Sequence, residues 1–158
     1  MGIIKTHSRS CVLDAFAHVL NVHPRQIIEY LNHDGAERGF HTQELIDFAS
    51  DRKGSTVTEI HRFPVSVNPI TGLNCWISFP QGNAETRFCK WLASGKGVLL
   101  GQTKYGVPHA VSWKHQQIHD PSTGRSYDLL KPNYEGFLER TEGSPSFHPT
   151  KFLKIQTT

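Results

Sequence analysis

Three residues that lie far apart in the chain carry side chains that together could perform nucleophilic catalysis. Cys11 lies at the start of the apolar run SCVLDAFA, His109 lies in the segment PHAVSW, and Asp120 ends the segment QIHD. A thiolate can attack a carbonyl carbon, an imidazole can carry the proton, and a carboxylate can hold the imidazole in one tautomer. The chain order cysteine, histidine, aspartate therefore predicts a hydrolase that works through a thioester intermediate.

The cysteine is expected in the first turn of a helix. Ser10 is suited to the N-cap position, and residues 11–20 carry apolar side chains at helical spacing, namely Val12, Leu13, Phe16, Val19 and Leu20. In the first turn, the helix dipole and the free backbone N–H groups favour a negative charge on Cys11. The backbone N–H of Cys11 is also a candidate donor to an oxyanion.

The histidine and the aspartate are expected to face each other across a β-hairpin. A turn centred just after Lys114 would pair Val111 with Ile118 and His109 with Asp120 on one face of the two strands. Directly paired residues have Cβ atoms roughly 5 Å apart, so the carboxylate could bind one nitrogen of the imidazole. The dipeptide Lys-His suits a tight type I′ turn poorly, which favours a longer turn with the same centre.

The remaining pattern places helices before strands. Further helices are expected from Pro24, from a cap at Thr42 or His41 up to Gly54, and over residues 85–93. A loop is expected over 63–72, and short strands over 55–60, 75–79, 98–100, 109–113, 117–120, 126–129 and 152–156. This order predicts an α+β fold in which N-terminal helices pack on a C-terminal antiparallel sheet. A length of 158 residues fits one domain, expected to span 1–158.

Composition limits the class of partner. The formal net charge is +3 at pH 7, and basic and aromatic residues form no stripe, so we expect no nucleic-acid partner. No stretch approaches the roughly 20 apolar residues of a membrane span, and residues 1–7 lack the apolar run of a signal peptide. We therefore expect no membrane partner. The 3 cysteines suggest no disulfide framework, which favours a reducing compartment such as the cytoplasm.

Other reactive side chains have several interpretations. Asp14 lies on nearly the same helix face as Cys11, where it could interact with the helix dipole, orient a substrate or replace Asp120 as the third member. Cys75 and Cys89 lie inside apolar patterns and are expected in the core. There is no Cys-x-x-Cys motif, no His-Glu-x-x-His motif and no phosphate-binding glycine loop. We therefore expect no metal and no other cofactor.

These segments resemble the papain-like cysteine peptidase superfamily. SCVLDAFAHVL is similar to the helix that carries the nucleophile of that superfamily, and HAVSW followed by IHDP is similar to its histidine strand and the following Asn or Asp. With GFHTQEL and IHDPSTG, the set also resembles small papain-like proteins encoded by bacteriophages. The resemblance implies a papain-like fold and a thiol protease with a catalytic triad. Cys11 would be the nucleophile, His109 the general base and acid, and Asp120 the orienting carboxylate.

One part of the superfamily pattern is missing. Many papain-like enzymes have a glutamine about six residues before the cysteine as an oxyanion donor, but this region of the chain holds Lys5 instead. His7, Ser8 and Gln102 are the remaining candidates for the second donor.

The segment GFHTQEL has two interpretations. Phe40 and His41 could shape the substrate cleft, or the segment could form a helix start with a hydrophobic staple.

The expected substrate is a protein or peptide, cleaved at a peptide or isopeptide bond. Deamidase, transglutaminase and peptidoglycan amidase chemistry use the same constellation and stay open. A catalytically silent binding module, such as a phage-encoded inhibitor of a host protein, is the alternative from another class. A phage protein of this kind would act in the host cytoplasm or in the virion. The sequence leaves the oligomeric state open.

Overall fold

The structure is a computed structural model that describes residues 3–4, 10–37, 39–62, 65–76, 84–103, 106–121, 124–128 and 147–157. The helices in these ranges are α1 (Ser10–Leu20), α2 (Pro24–Leu31), α3 (Thr42–Lys53) and α4 (Ala84–Ala93). The strands are β1 (Ile3–Ile4), β2 (Phe40–His41), β3 (Ser55–His61), β4 (Val65–Val67), β5 (Asn74–Trp76), β6 (Lys96–Thr103), β7 (Pro108–Lys114), β8 (Gln117–Asp120), β9 (Arg125–Asp128) and β10 (Phe147–Thr157).

Within the described residues, six strands form one antiparallel sheet in the order β3-β10-β6-β7-β8-β9. Helices α1, α2 and α3 precede this sheet in the chain, and α1 lies against β6 and β7. The fold is therefore α+β, with N-terminal helices packed on an antiparallel sheet, as the order of elements predicted. Strands β1 and β2 form a separate pair, and so do β4 and β5.

The sheet buries apolar side chains on both of its faces. Successive residues of a strand point to opposite faces, so Val98 and Ala110 pack among the apolar residues of α1, whereas Leu99 and Val111 pack with Phe88 of α4. Packing on both faces restrains the backbone of these central strands. This packing sets the position of His109 near the start of β7.

Local capping explains where α3 begins and ends. The Nδ1 atom of His41 accepts a hydrogen bond from the backbone N–H of Gln43, and the Glu44 side chain accepts from the backbone N–H of His41. Gly54 ends the helix in the left-handed conformation. Of the two predicted caps, His41 is therefore the correct one. In α1, Ser10 is already the first helical residue instead of the cap, which still leaves the next residue in the first turn.

The predicted register of the β7–β8 hairpin is wrong. Trp113 pairs with Ile118, and His115 and Gln116 form a two-residue turn. Both turn residues have positive φ, 54° and 61°, as a type I′ turn requires. The prediction favoured a longer turn because it considered the dipeptide Lys114-His115, whereas the chain turns at His115 and Gln116. The centre of the turn lies one residue later than expected, so every partner moves by two residues and each side chain keeps its face.

Other boundaries also differ from the prediction. The segment 63–72, predicted as a loop, contains β4 (Val65–Val67), and its turn is held by the Asn68 side chain, which accepts from two backbone N–H groups. The strands predicted over 98–100 and 152–156 are longer in the structure, and residues 77–79 of another lie outside the described ranges. The β1–β2 pair was not predicted. No helix in the described ranges is both long and apolar enough to cross a membrane.

Candidate active site

The N-terminus of α1 is held against the start of β7. Alternate residues of β7 face α1, and among them the hydroxyl of Ser112 donates a 3.0 Å hydrogen bond to the backbone carbonyl of Ala15. Both sides of this contact are buried, so it fixes how far the helix can slide along the strand. Cys11 lies one turn before Ala15, and its side chain reaches the start of β7, where His109 lies.

Cys11, His109 and Asp120 form a continuous chain of contacts. The Sγ atom of Cys11 lies 3.4 Å from Nδ1 of His109, and Nε2 of the same ring lies 3.0 Å from Oδ1 of Asp120. The three residues are 2%, 4% and 3% exposed. This is the arrangement of a nucleophile, a base and a group that orients the base. Burial strengthens each of these electrostatic contacts relative to water.

The sheet register explains how His109 meets Asp120 although the two are not directly paired. Described pairs between β7 and β8 end at Ser112 and His119. Continued by one position, the register sets Asp120 opposite Val111, which makes it a diagonal neighbour of His109 on the same face. Diagonal Cα atoms are roughly 7–8 Å apart, a distance that an imidazole and a carboxylate can bridge.

The electrostatic surroundings keep His109 protonated at neutral pH. Burial, the largest single effect, lowers the pKa of His109. Hydrogen bonds to Asp120 and Cys11, together with the negative charges of both groups, outweigh it and raise the pKa from 6.5 to about 9. An imidazolium at this position lies beside the sulfur that would carry the negative charge of the nucleophile. The site can therefore hold a thiolate–imidazolium pair.

Phe147 forms one wall of the site. Its ring meets the His109 ring edge to face, with ring centroids 6.0 Å apart and an interplanar angle of 84°. Sequence reasoning missed this residue because the last strand was expected to begin at residue 152. It also missed Ser112, although a polar residue among the buried residues of HAVSW was a signal that could have identified it.

Of the three candidates for the second oxyanion donor, the described residues include one. His7 and Ser8 lie outside the described residues. Gln102 is exposed on β6, where it pairs with Pro108 next to the pair Gly101–His109. The alternation of β6 puts Gln102 on the face that packs against α1. Gln102 therefore stays a candidate for the second donor.

The other predicted site residues have defined places. Asp14 is half-buried in α1, and the carboxylate that contacts Nε2 of His109 belongs to Asp120. Phe40 is buried in the hydrophobic core, and His41 caps α3, a placement that fits the helix-start interpretation of their segment. Cys89 of α4 is buried in the core that α4 forms with the sheet, as predicted. The side chain of Cys75 lies outside the described set.

No three His, Cys, Asp or Glu side chains among the described residues gather in a way that could hold a metal ion. Comparisons with known proteins give no assignment, since no protein-family model, no curated protein and no solved structure matches the chain.

Proposed function

We propose that this chain is a papain-like cysteine hydrolase that cleaves a peptide or isopeptide bond. One observation carries the proposal, the unbroken contact from Cys11 Sγ through the His109 ring to Asp120 at the first turn of a helix. A cysteine that serves only the core needs no imidazole at its sulfur, and a histidine that serves only the core needs no carboxylate behind it.

The geometry supports a two-step reaction. The thiolate of Cys11 attacks the substrate carbonyl carbon, and the oxyanion formed lies near the free N–H groups of the first turn of α1. His109 gives its proton to the leaving amine, the C–N bond breaks, and a thioester remains on the sulfur. His109 then takes a proton from water, the hydroxide attacks the thioester, and the carboxylic acid leaves as the thiolate re-forms. These steps require no cofactor.

The same residues could serve related reactions. Attack on a glutamine side-chain amide followed by water gives deamidation, and attack followed by an amine gives transglutamination. A peptidoglycan amide bond would make the chain a cell-wall amidase. The resemblance to phage-encoded proteins supports action in a host cytoplasm or in a virion. A silent papain-like binding module, for example an inhibitor of a host protein, is the competing proposal.

Alkylation of Cys11 by iodoacetamide as a function of pH tests the proposal. A thiolate–imidazolium pair reacts down to about pH 5–6, whereas an unperturbed thiol reacts with a midpoint near 8.5. We expect labelling of the wild type to persist in the acidic range and to collapse in His109→Ala. Peptide mapping separates Cys11 from buried Cys89, which serves as an internal reference. His148→Ala removes an exposed histidine and is the matched control.

The outcome of this experiment decides between the proposals. An ordinary thiol profile that is identical in wild type and His109→Ala would eliminate the hydrolase. An acidic profile leads to a second experiment with fluorogenic peptide amides, in which Cys11→Ala is the blank. Turnover that disappears in Cys11→Ala supports hydrolysis. A reactive Cys11 without turnover of amides or of protein substrates supports the binding module.

A further inference from the structure

A pair of stacked histidine rings lies at the opposite end of α1 from Cys11. His18, in the last turn of α1, stacks on His119 of β8 with ring centroids 4.1 Å apart and an interplanar angle of 11°. His18 is exposed and His119 is half-buried. His18 lies seven positions after Cys11 in the helix, a distance of about 10 Å along the axis. The catalytic contacts therefore do not explain this pair.

Two further polar side chains join the stacked rings. Ser112, His119 and Ser126 pair in register across β7, β8 and β9, and Nδ1 of His119 lies 3.0 Å from Oγ of Ser126. Lys114 lies two residues after Ser112 and therefore on the same face of β7, the face that packs on α1. Four elements of the fold thus bring two imidazoles, an ammonium group and a hydroxyl to one corner of the sheet.

The charged groups that act on His18 are basic side chains. After burial, the charges of His119 and Lys114 are the effects that lower the pKa of His18. Within the described part of the chain, none of these three basic side chains forms an ion pair with a carboxylate. Two acidic residues lie near this corner, Asp14 one helical turn before His18 in α1 and Asp128, which pairs with Gln117 at the end of β9. Continued by one position, the β6–β7 register also sets Lys96 opposite Lys114. Three basic groups that repel one another are stabilised when an anion lies between them.

We propose that His18, Lys114, His119 and Ser126 form a binding site for a phosphate group. Each member carries an N–H or O–H donor, and a phosphate dianion offers enough acceptor oxygens for all of them. A cluster that can carry up to three positive charges also matches a dianion better than it matches a single carboxylate. The occupant is inorganic phosphate or the phosphoryl group of a phosphate monoester.

Occupancy would connect two elements of the candidate active site. His18 lies on the helix that carries Cys11, and His119 immediately precedes Asp120 in β8. A phosphate bound by both imidazoles therefore ties α1 to β8. None of the triad residues belongs to the cluster, so the phosphate site can be tested whether or not the chain is a hydrolase.

Titration of the histidine rings by NMR tests the site. Inorganic phosphate is added to the full chain at constant ionic strength, and the titration midpoint of each ring is followed. Bound phosphate favours the imidazolium form, so the midpoints of His18 and His119 are expected to rise by roughly half a unit or more. Exposed His148 reports the nonspecific effect of the salt in the same spectra. The measurement can be repeated in Cys11→Ala, which separates it from catalysis.

Variants and other anions complete the test. Lys114→Gln is expected to weaken phosphate binding roughly threefold or more. Lys90→Gln, at an exposed position of α4 on the other face of the sheet, should leave binding unchanged, and Asp128→Asn should leave it at least as tight. O-phosphoserine in place of inorganic phosphate distinguishes a phosphoryl group on a side chain from the free ion. The site is refuted if His18 and His119 move no more than His148, if Lys114→Gln binds phosphate as the wild type does, or if acetate acts as strongly as phosphate.

Discussion

Replacing Asp120 by asparagine should lower the pKa of His109 sharply while preserving the shape of the site. Asparagine keeps an oxygen where the carboxylate accepts the hydrogen bond from Nε2, but it removes the negative charge. In the wild type, the partners of His109 raise its pKa from 6.5 to about 9 against the opposing effect of burial. Burial and the contact with Cys11 persist in Asp120→Asn, while the charge of Asp120 is lost, so we expect the His109 ring of the variant to titrate well below the wild-type value.

The size of the shift sets the expected change in stability. One pKa unit corresponds to about 1.4 kcal/mol, so protonated His109 contributes on the order of 3 kcal/mol to folding. The pKa in the folded state is higher than the unfolded value of 6.5. The contribution is therefore complete below pH 6.5 and is lost as the pH rises through about 9. In Asp120→Asn, this loss of stability between pH 6.5 and pH 9 should become clearly smaller, because only the contribution of Cys11 to the raised pKa remains.

Two measurements check this reasoning. NMR titration of the imidazole gives the pKa of His109, and urea unfolding at the two ends of the pH window gives the free energy of unfolding. Asp47→Asn, at an exposed position of α3, makes the same change of charge far from the imidazole and should leave both quantities unaltered. A wild-type His109 that titrates near 6.5, or an equal titration in Asp120→Asn, would show that the carboxylate does not stabilise the imidazolium.

Three further substitutions, with Gly106→Ala as a control, test packing, hydrogen-bonding and capping contacts of the fold. Gly101→Ala would place a Cβ atom 2.1 Å from a backbone carbonyl oxygen of β10, so urea unfolding should show a loss of about 1–3 kcal/mol or more and labelling of Cys11 should slow. In Gly106→Ala, no atom lies within 4 Å of the new Cβ, so only the positive φ of this position disfavours alanine. An equal loss of stability in the two variants would contradict the steric explanation. Ser112→Ala removes the hydroxyl donated to α1 and should cost about 1 kcal/mol, with faster amide exchange in α1 as the sign of a loosened helix. His41→Ala removes the cap of α3 and should also cost about 1 kcal/mol, but Cys11 labelling should keep its pH profile; a changed profile would show that the cap affects the site.

Helices were the most predictable part of the fold because their signals are local. Pro24 begins α2 as predicted, and Gly54 ends α3 in the left-handed conformation that suits glycine. Both positions follow from the backbone preferences of one residue. The start of α1 differs from the prediction by one residue, a difference that leaves Cys11 in the first turn.

In the β7–β8 hairpin, the predicted position of the turn is wrong, but the prediction that His109 and Asp120 share a face is correct. Turn propensity was tested on Lys114 and His115, while the chain turns at His115 and Gln116. Because side chains alternate along a strand with period two, a shift of each partner by two residues leaves His109 and Asp120 on one face. The face of the sheet that a side chain occupies can therefore be predicted from its odd or even position along the strand. Whether two residues pair directly or diagonally depends on where the chain turns.

Sequence by itself determined the types of the chemical groups, their order in the chain and the elements that carry them. It placed Cys11 at a helix start and His109 and Asp120 on two successive strands, because helical and strand periodicity are properties of neighbouring residues. Only the tertiary structure decided that α1 packs on β7, that Phe147 covers the imidazole, and that Cys11 Sγ lies 3.4 Å from the ring. These contacts join residues separated by tens of positions, and the packing of the two cores, which no local pattern encodes, sets their distances.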